Sequence, residues 1–197
     1  MGVAVRIDHA NRNVTAGIET QPHFDTQGFR RALGSFPTGV TIVTTRGSDG
    51  QPVGVTCSSF NSVSLDPPLV LWSLARKAHS RPVFEAAEHW AVNLLSLDQE
   101  DLSTQFARSG KDKFAGIESD AGVGDVPLLK GCCARFQCAT QHIYEGGDHL
   151  IFVGRVLTYD QSDRLPLVFH SGQYNRQIAD AIARALGLRT RHLLDWA

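Results

Sequence analysis

Residues 132–144 (CCARFQCATQHIY) and 149–160 (HLIFVGRVLTYD) are two long β-forming runs joined only by the four residues EGGD. A connection that short, made of small and acidic residues, predicts an antiparallel hairpin. Further strand-like pieces stand at GVTIVTT (39–45), VGVTCSSF (53–60), PLVLWSL (68–74), WAVNLL (90–95) and PLVFHSGQY (166–174). The turn GSDGQP separates the first two, as a second hairpin requires. Strands arriving in close succession, with only occasional helices between them, favour a mainly β antiparallel sheet or barrel over a doubly wound α/β sheet.

Helical signals flank this pattern. Asp25 or Thr26 can cap a first helix with Phe29, Ala32, Leu33 and Phe36 on one stripe, broken by Gly34, Pro37 and Gly39. Ser80 followed by RPVFEAAEHW reads as a serine-capped helix with proline in its first turn and Glu85 near the positive end of the dipole. Asp98 is the candidate cap of QEDLSTQFA, where Leu102 and Phe106 share a face. The glycine-rich stretch 108–131 reads mostly as loop, and NRQIADAIARAL as a closing amphipathic helix ended by Gly187. The expected organisation is a flexible arm over 1–23, one domain over 24–176, and a C-terminal helix and tail over 177–197.

The chain of 197 residues has a formal net charge of −1 and no block of like charges, so it carries no electrostatic footprint for nucleic acid or a membrane surface. The opening 23 residues lack the apolar core of a secretory signal, and no apolar run approaches membrane-spanning length. Cys57, Cys132, Cys133 and Cys138 have no disulfide-framework spacing, which points to the cytoplasm. A zinc site of Cys132, Cys133, Cys138 and His142 has the right donor chemistry but the wrong spacing, because adjacent cysteines on a strand point to opposite faces. There is no G-x-G-x-x-G, no P-loop and no G-x-S-x-G, so any nicotinamide cofactor would bind outside the usual dinucleotide fold.

Hydroxyls are dense at Thr56, Ser58, Ser59, Ser62, Ser64, Ser73 and Ser80, and Arg76, Lys77 and Arg81 stand at the entry of the Ser80 helix. Free amides, a capping hydroxyl and cations together suit a phosphate, while a serine-rich edge strand beside an ordinary capped helix accounts for the same residues. Ser80 beside His79 admits a serine–histidine hydrolase, though adjacency in sequence says nothing of geometry. His149 is open to three readings: a hairpin-mouth residue, a pocket contact for an amide or phosphate, or a metal ligand shared with His142.

FRRALGSFPTGVTIVTT, PVGVTCSSFNSVSLDPPLVLWSLARKAHSRP, DKFAG, GGDHLIFVGRV and PLVFHSGQY, in this order, resemble the flavin reductase family over residues 24–174. These are short NAD(P)H:flavin oxidoreductases that serve as reductase components of two-component flavin-dependent monooxygenases. The resemblance implies a split β-barrel, a homodimer, and FMN or FAD reduced by NADH or NADPH for a partner monooxygenase. It assigns flavin contacts to Val53, Gly54, Val55, Thr56, Ser58 and Ser59, and to Ser73, Leu74 and Ala75. His79 and Ser80 fall near the phosphate side. Gln105 and Phe106 match a helix in which many relatives carry Arg at the first position, so a charged phosphate contact is missing here. His149 is carried over as the nicotinamide contact, Phe114 shapes the same cleft, and Tyr174 is a further candidate. A flavin-binding electron carrier or store without reductase turnover would share the flavin segments but has no need of His149.

Overall fold

The computed structural model describes residues 24–110 and 112–185. Helix α1 (Thr26–Gly34) is grouped apart from the rest of the described residues and is capped by Asp25, whose carboxylate accepts the Gln27 N–H at 3.0 Å. Phe29 and Leu33 on its stripe are exposed, and Phe24 packs edge to face on Phe29 at 5.3 Å. Phe36 follows the helix end and so falls outside the stripe predicted for it.

The remaining elements are β1 (Thr38–Gly39), β2 (Thr41–Arg46), β3 (Pro52–Cys57), β4 (Asn61–Leu65), β5 (Pro68–Ala75), α2 (Arg81–Ala86), β6 (His89–Leu94) and α3 (Glu100–Ala107). They continue with β7 (Ser119–Ala121), β8 (Pro127–Leu129), β9 (Ala134–Gly146), β10 (His149–Gln161), β11 (Val168–His170), β12 (Gln173–Tyr174) and α4 (Arg176–Ala185). Seven strands form one sheet in the order β3-β2-β6-β9-β10-β5-β4, and every strand pairing is antiparallel. The fold is therefore mainly β with a few helices, as the succession of strands predicts.

The expected 132–160 hairpin is the spine of the sheet. β9 and β10 are 13 residues each. Gly146 still pairs with His149, so the turn is shorter than EGGD and consists of Gly147 and Asp148 alone. Gly147 has φ +68°, a conformation that costs glycine nothing. Farther along β10, Gly154 lets the Trp90 ring lie against the strand, where a Cβ would collide with it.

Alternation along the strands splits the core into two layers. Ile42 belongs with Val40, Leu95, Phe106 and Leu129, while its neighbour Val43 belongs with Trp72, Phe84, Trp90 and Phe152. Covered on both faces, β2 reads as a continuous buried run rather than an alternating one. Trp72 stacks on Phe152 at 4.7 Å and meets Phe84 edge to face at 4.9 Å. The buried Asn93 amide donates to Ile42 O and Thr44 Oγ1, and its carbonyl accepts from Leu129 N–H at 2.9 Å, tying β6 to β2 and β8.

Several expectations need correction. Residues 108–131 are not simply loop: β7 and β8 pair there around a single 3₁₀ turn at Val123–Asp125. β4, passed over as a strand, pairs with β5; its short alternation of Val63 and Leu65 with serines faces solvent rather than a core. PLVFHSGQY holds two strands, β11 and β12, folded back through Ser171 and Gly172 and joined to β1. α3 begins after Gln99 rather than at Asp98, whose carboxylate instead accepts the Ser96 hydroxyl. Ser80 makes no side-chain cap, and α2 is so short that Glu85 sits in its last turn, far from the positive end. Cys132 and Cys133 precede β9, so the opposite-faces argument does not apply to them; both are buried all the same. Residues 1–23, with the proposed arm, and Gly187 lie outside the described residues.

Candidate functional site

β3 is an end strand of the sheet, and no strand pairs with its outer edge among the described residues. The chain leaving β3 returns to β5 through one hydroxyl. Ser59 Oγ accepts the Ser73 N–H at 2.9 Å and donates to Ser73 O at 3.2 Å. Between these segments lies a cleft of about 580 Å³, within the usual range for small-molecule sites. One wall is Val55, Thr56, Cys57, Ser58 and Ser59, and the other is Ser73, Leu74, Ala75 and Ala78. Gly146, His149 and Ile151 of the hairpin complete it.

Strand alternation sets what each wall residue offers. Thr56 points back to α3, donating its hydroxyl to Ser103 O at 2.7 Å. Val55 and Cys57 turn the other way, against the Trp72 layer. The Thr41 hydroxyl donates to Cys57 O at 3.0 Å and lies 3.1 Å from Cys57 Sγ. Burial pushes the Cys57 thiol up, so it is a neutral wall group at physiological pH and not a nucleophile. With the Thr56 and Ser59 hydroxyls committed to protein partners, the wall presents chiefly the open main-chain edge of β3, the exposed Ser58 and apolar surface. Such an edge has the donors and acceptors that a planar heterocycle can pair with.

His149 opens β10, opposite Gly146 on one side and Ala75 on the other. Its Nδ1 is 2.7 Å from Asp148 Oδ1, and that hydrogen bond with its charge holds the Asp148 carboxyl below the ordinary carboxylate value. An Nδ1–H donated there leaves Nε2 as the free ring nitrogen at the cleft rim. Arg76, read from sequence as a phosphate cation, is turned to the hairpin: its Nε donates to Gly147 O at 2.8 Å and its Nη2 pairs with Glu145 at 3.0 Å. Arg81 pairs with Glu85 at 3.6 Å within α2. His79 and Ser80 do not line the cleft.

The remaining sequence candidates back the β3 wall from behind. Phe106 is fully buried, meets Phe114 edge to face at 4.9 Å, and occupies the space a Cβ on Gly54 would need. Lys113 Nζ donates to Phe106 O at 2.8 Å and Gly54 O at 3.2 Å, and burial pushes its pKa down. Gln105 Nε2 donates to Lys113 O and Ala115 O, holding the DKFAG segment on α3. Val53 packs on the Trp72 layer, and Tyr174 bonds Ser103 Oγ through its hydroxyl at 2.8 Å. None of Val53, Gly54, Gln105, Phe106, Phe114 and Tyr174 lines the cleft itself.

The sequence reading passed over Cys57, Ala78, Gly146 and Ile151. The strand period could have found Ile151, two residues from His149 on the same face of β10. His142 pairs with Val153, four ladder positions from His149, which separates the two rings' backbones by roughly 13 Å. Among the described residues no group of three or more His, Cys, Asp or Glu gathers to hold a metal. Burial raises the Cys132 and Cys138 thiols to about 12 and Cys133 to about 11.

Known proteins share this architecture. The family model described as flavin reductase like domain matches residues 33–177. FMN reductase (NADH) SmoA of Agrobacterium fabrum is 44% identical over 152 residues, 77% of this chain and 86% of the relative. The flavin-dependent monooxygenase reductase subunit HsaB of Rhodococcus jostii is 39% identical, covering 76% of this chain and 77% of the relative. The solved NADH:FAD oxidoreductase SgcE6 of Streptomyces globisporus, in complex with NAD and FAD fragments, superposes with a TM-score of 0.73 at 40% identity over 77% of this chain and 92% of that one. Several curated relatives are longer, and the chain spans 66%, 49% and 47% of three of them.

Proposed function

The chain belongs to the flavin reductase-like family, and from that premise we propose that it is an NAD(P)H:flavin oxidoreductase. It reduces free FMN or FAD and supplies the reduced flavin to a partner monooxygenase. The observation that carries this reading is the cleft itself. Three segments far apart in sequence, 55–59, 73–75 and the His149 turn, meet around one space large enough for a flavin ring with a second ring against it. The fit rests on the donor set, which combines an open strand edge, hydroxyls and small side chains with a histidine at one rim.

The redox chemistry is supplied by the two cofactors when bound, hydride passing between them. The protein's own part is positioning. The β3 edge, Ser58, Leu74 and Ala75 would hold the flavin, and His149 Nε2 would orient the nicotinamide carboxamide. Holding the two cofactors in one cleft would supply proximity and orientation, and no acid or base is required for hydride transfer itself. The Ser59–Ser73 bond ties the segment after end strand β3 to β5, the strand next to the opposite end of the sheet, which supports a split β-barrel. Residues 24–176 form the catalytic domain in this reading, and the active species is a homodimer. No helix of the described residues is long and apolar enough to cross a membrane, and the four cysteines are free thiols, which supports a cytoplasmic setting.

The test is the loss of NADH or NADPH absorbance with and without added FMN or FAD. Flavin-dependent oxidation is expected, and the four pairings rank the cofactors. No flavin-stimulated loss with any pairing would sink the proposal.

A further inference from the structure

The turn that carries His149 is exposed: the Glu145 and Asp148 side chains are 83% and 95% accessible. Few apolar contacts can hold such a tip in place. One residue outside the cleft does hold it. Arg76, immediately after β5, donates its main-chain N–H to Asp148 O at 2.9 Å and its Nε to Gly147 O at 2.8 Å, and sets Nη2 3.0 Å from Glu145 Oε1. Three of the four residues before His149 are thus gripped from the neighbouring strand.

We propose that Arg76 is a positioning residue for nicotinamide binding, fixing the Gly147–Asp148 turn so that the His149 ring is presented at the cleft rim. This deepens the reading of His149 given above and rests on it. The guanidinium suits the task because its planar fork sends one N–H to a carbonyl and another to a carboxylate at once. A lysine offers a single mobile ammonium and cannot span both. A cation used only to attract an anionic dinucleotide would keep its donors free toward the cleft, whereas here they face the turn. Lys77, the next residue, is the cation left to the surrounding solvent.

The test compares Arg76→Ala, Arg76→Lys, Glu145→Gln and His149→Ala by steady-state kinetics with NADH and by flavin titration. Arg76→Ala is expected to raise the KM for NADH about five- to tenfold, with kcat within about twofold and flavin Kd unchanged. Arg76→Lys raises KM nearly as much, and Glu145→Gln by less than about twofold, since that carboxylate is exposed. An unchanged KM in Arg76→Ala overturns the proposal, as does full recovery in Arg76→Lys, which would mean that charge alone suffices. Flavin Kd rising in step with KM also overturns it, because the residue would then support the whole cleft. Should the alanine variant fail to fold, the lysine variant is read by the same criteria. His149→Ala separates the two levels: if it leaves KM unchanged, the nicotinamide reading of His149 itself falls. If it raises KM while Arg76→Ala does not, only the positioning role falls.

Discussion

The two sides of the cleft are built by opposite means. The β3 wall is pressed from behind by Phe106, Phe114 and the Lys113 ammonium, all packed on a glycine that leaves no spare room. The His149 rim is a two-residue turn in solvent, held by the Arg76 guanidinium and main-chain N–H and by a hydrogen bond between adjacent side chains. A wall fixed by burial is hard to move and expensive to alter. A rim fixed by exposed polar contacts contributes little to stability and can be tuned without unfolding the sheet.

Substitutions rank accordingly. Phe106→Ala removes a fully buried ring and should cost about 3–5 kcal/mol, read as a lower midpoint in urea. A loss under about 1 kcal/mol would mean that the wall is not held from behind. Gly54→Ala sets two effects against each other. Restricting the unfolded chain gains about 0.5–1 kcal/mol, but forcing a Cβ into the Phe106 ring costs about 1–3 kcal/mol. The net outcome is a destabilised protein, and a stabilised one would show that the ring yields. Asp148→Asn is the smallest. Because His149 lowers the Asp148 carboxyl, their pairing is present above the ordinary carboxylate range and is lost as pH falls through the lowered value. At neutral pH the variant keeps an acceptor oxygen but loses the carboxylate's charge, and with so exposed a group the Tm should move by no more than about 1 °C. A larger shift would erase the contrast between the two sides.

Much of the sheet was legible because strand-forming side chains announce themselves: β2, β5 and β6 are rich in β-branched or aromatic residues that are buried, and β9 and β10 carry such residues over long stretches although much of each is exposed. β4 and β7 were not: β7 is short and polar, and β4 offers only Val63 and Leu65, alternating with serines on exposed positions, too short a period to stand out. Asp98 was mistaken for a cap because sequence cannot show that Ser96 claims its carboxylate. The same limit governs the site. Residues 55–59, 73–75 and His149 share a cleft, and the family motifs named most of them. Arg76 read as a phosphate cation, and Gln105 as a cofactor contact, until their actual partners, a hairpin turn and a loop, were visible. A long polar side chain has many possible partners, and only tertiary contacts choose among them. Gly146 belongs to the cleft solely because it faces His149 across a ladder.

The aromatic stack under β5 also has an optical consequence. Trp72 and Trp90, two of the chain's three tryptophans, lie fully buried, and Trp72 is the residue next to Ser73 of the cleft wall. Indole emission overlaps the absorption of oxidised flavin, and energy transfer between them falls steeply with distance. A flavin seated against Ser73 would therefore darken a tryptophan built into its own floor, so the protein carries an intrinsic gauge of cleft occupancy that can be read without turnover.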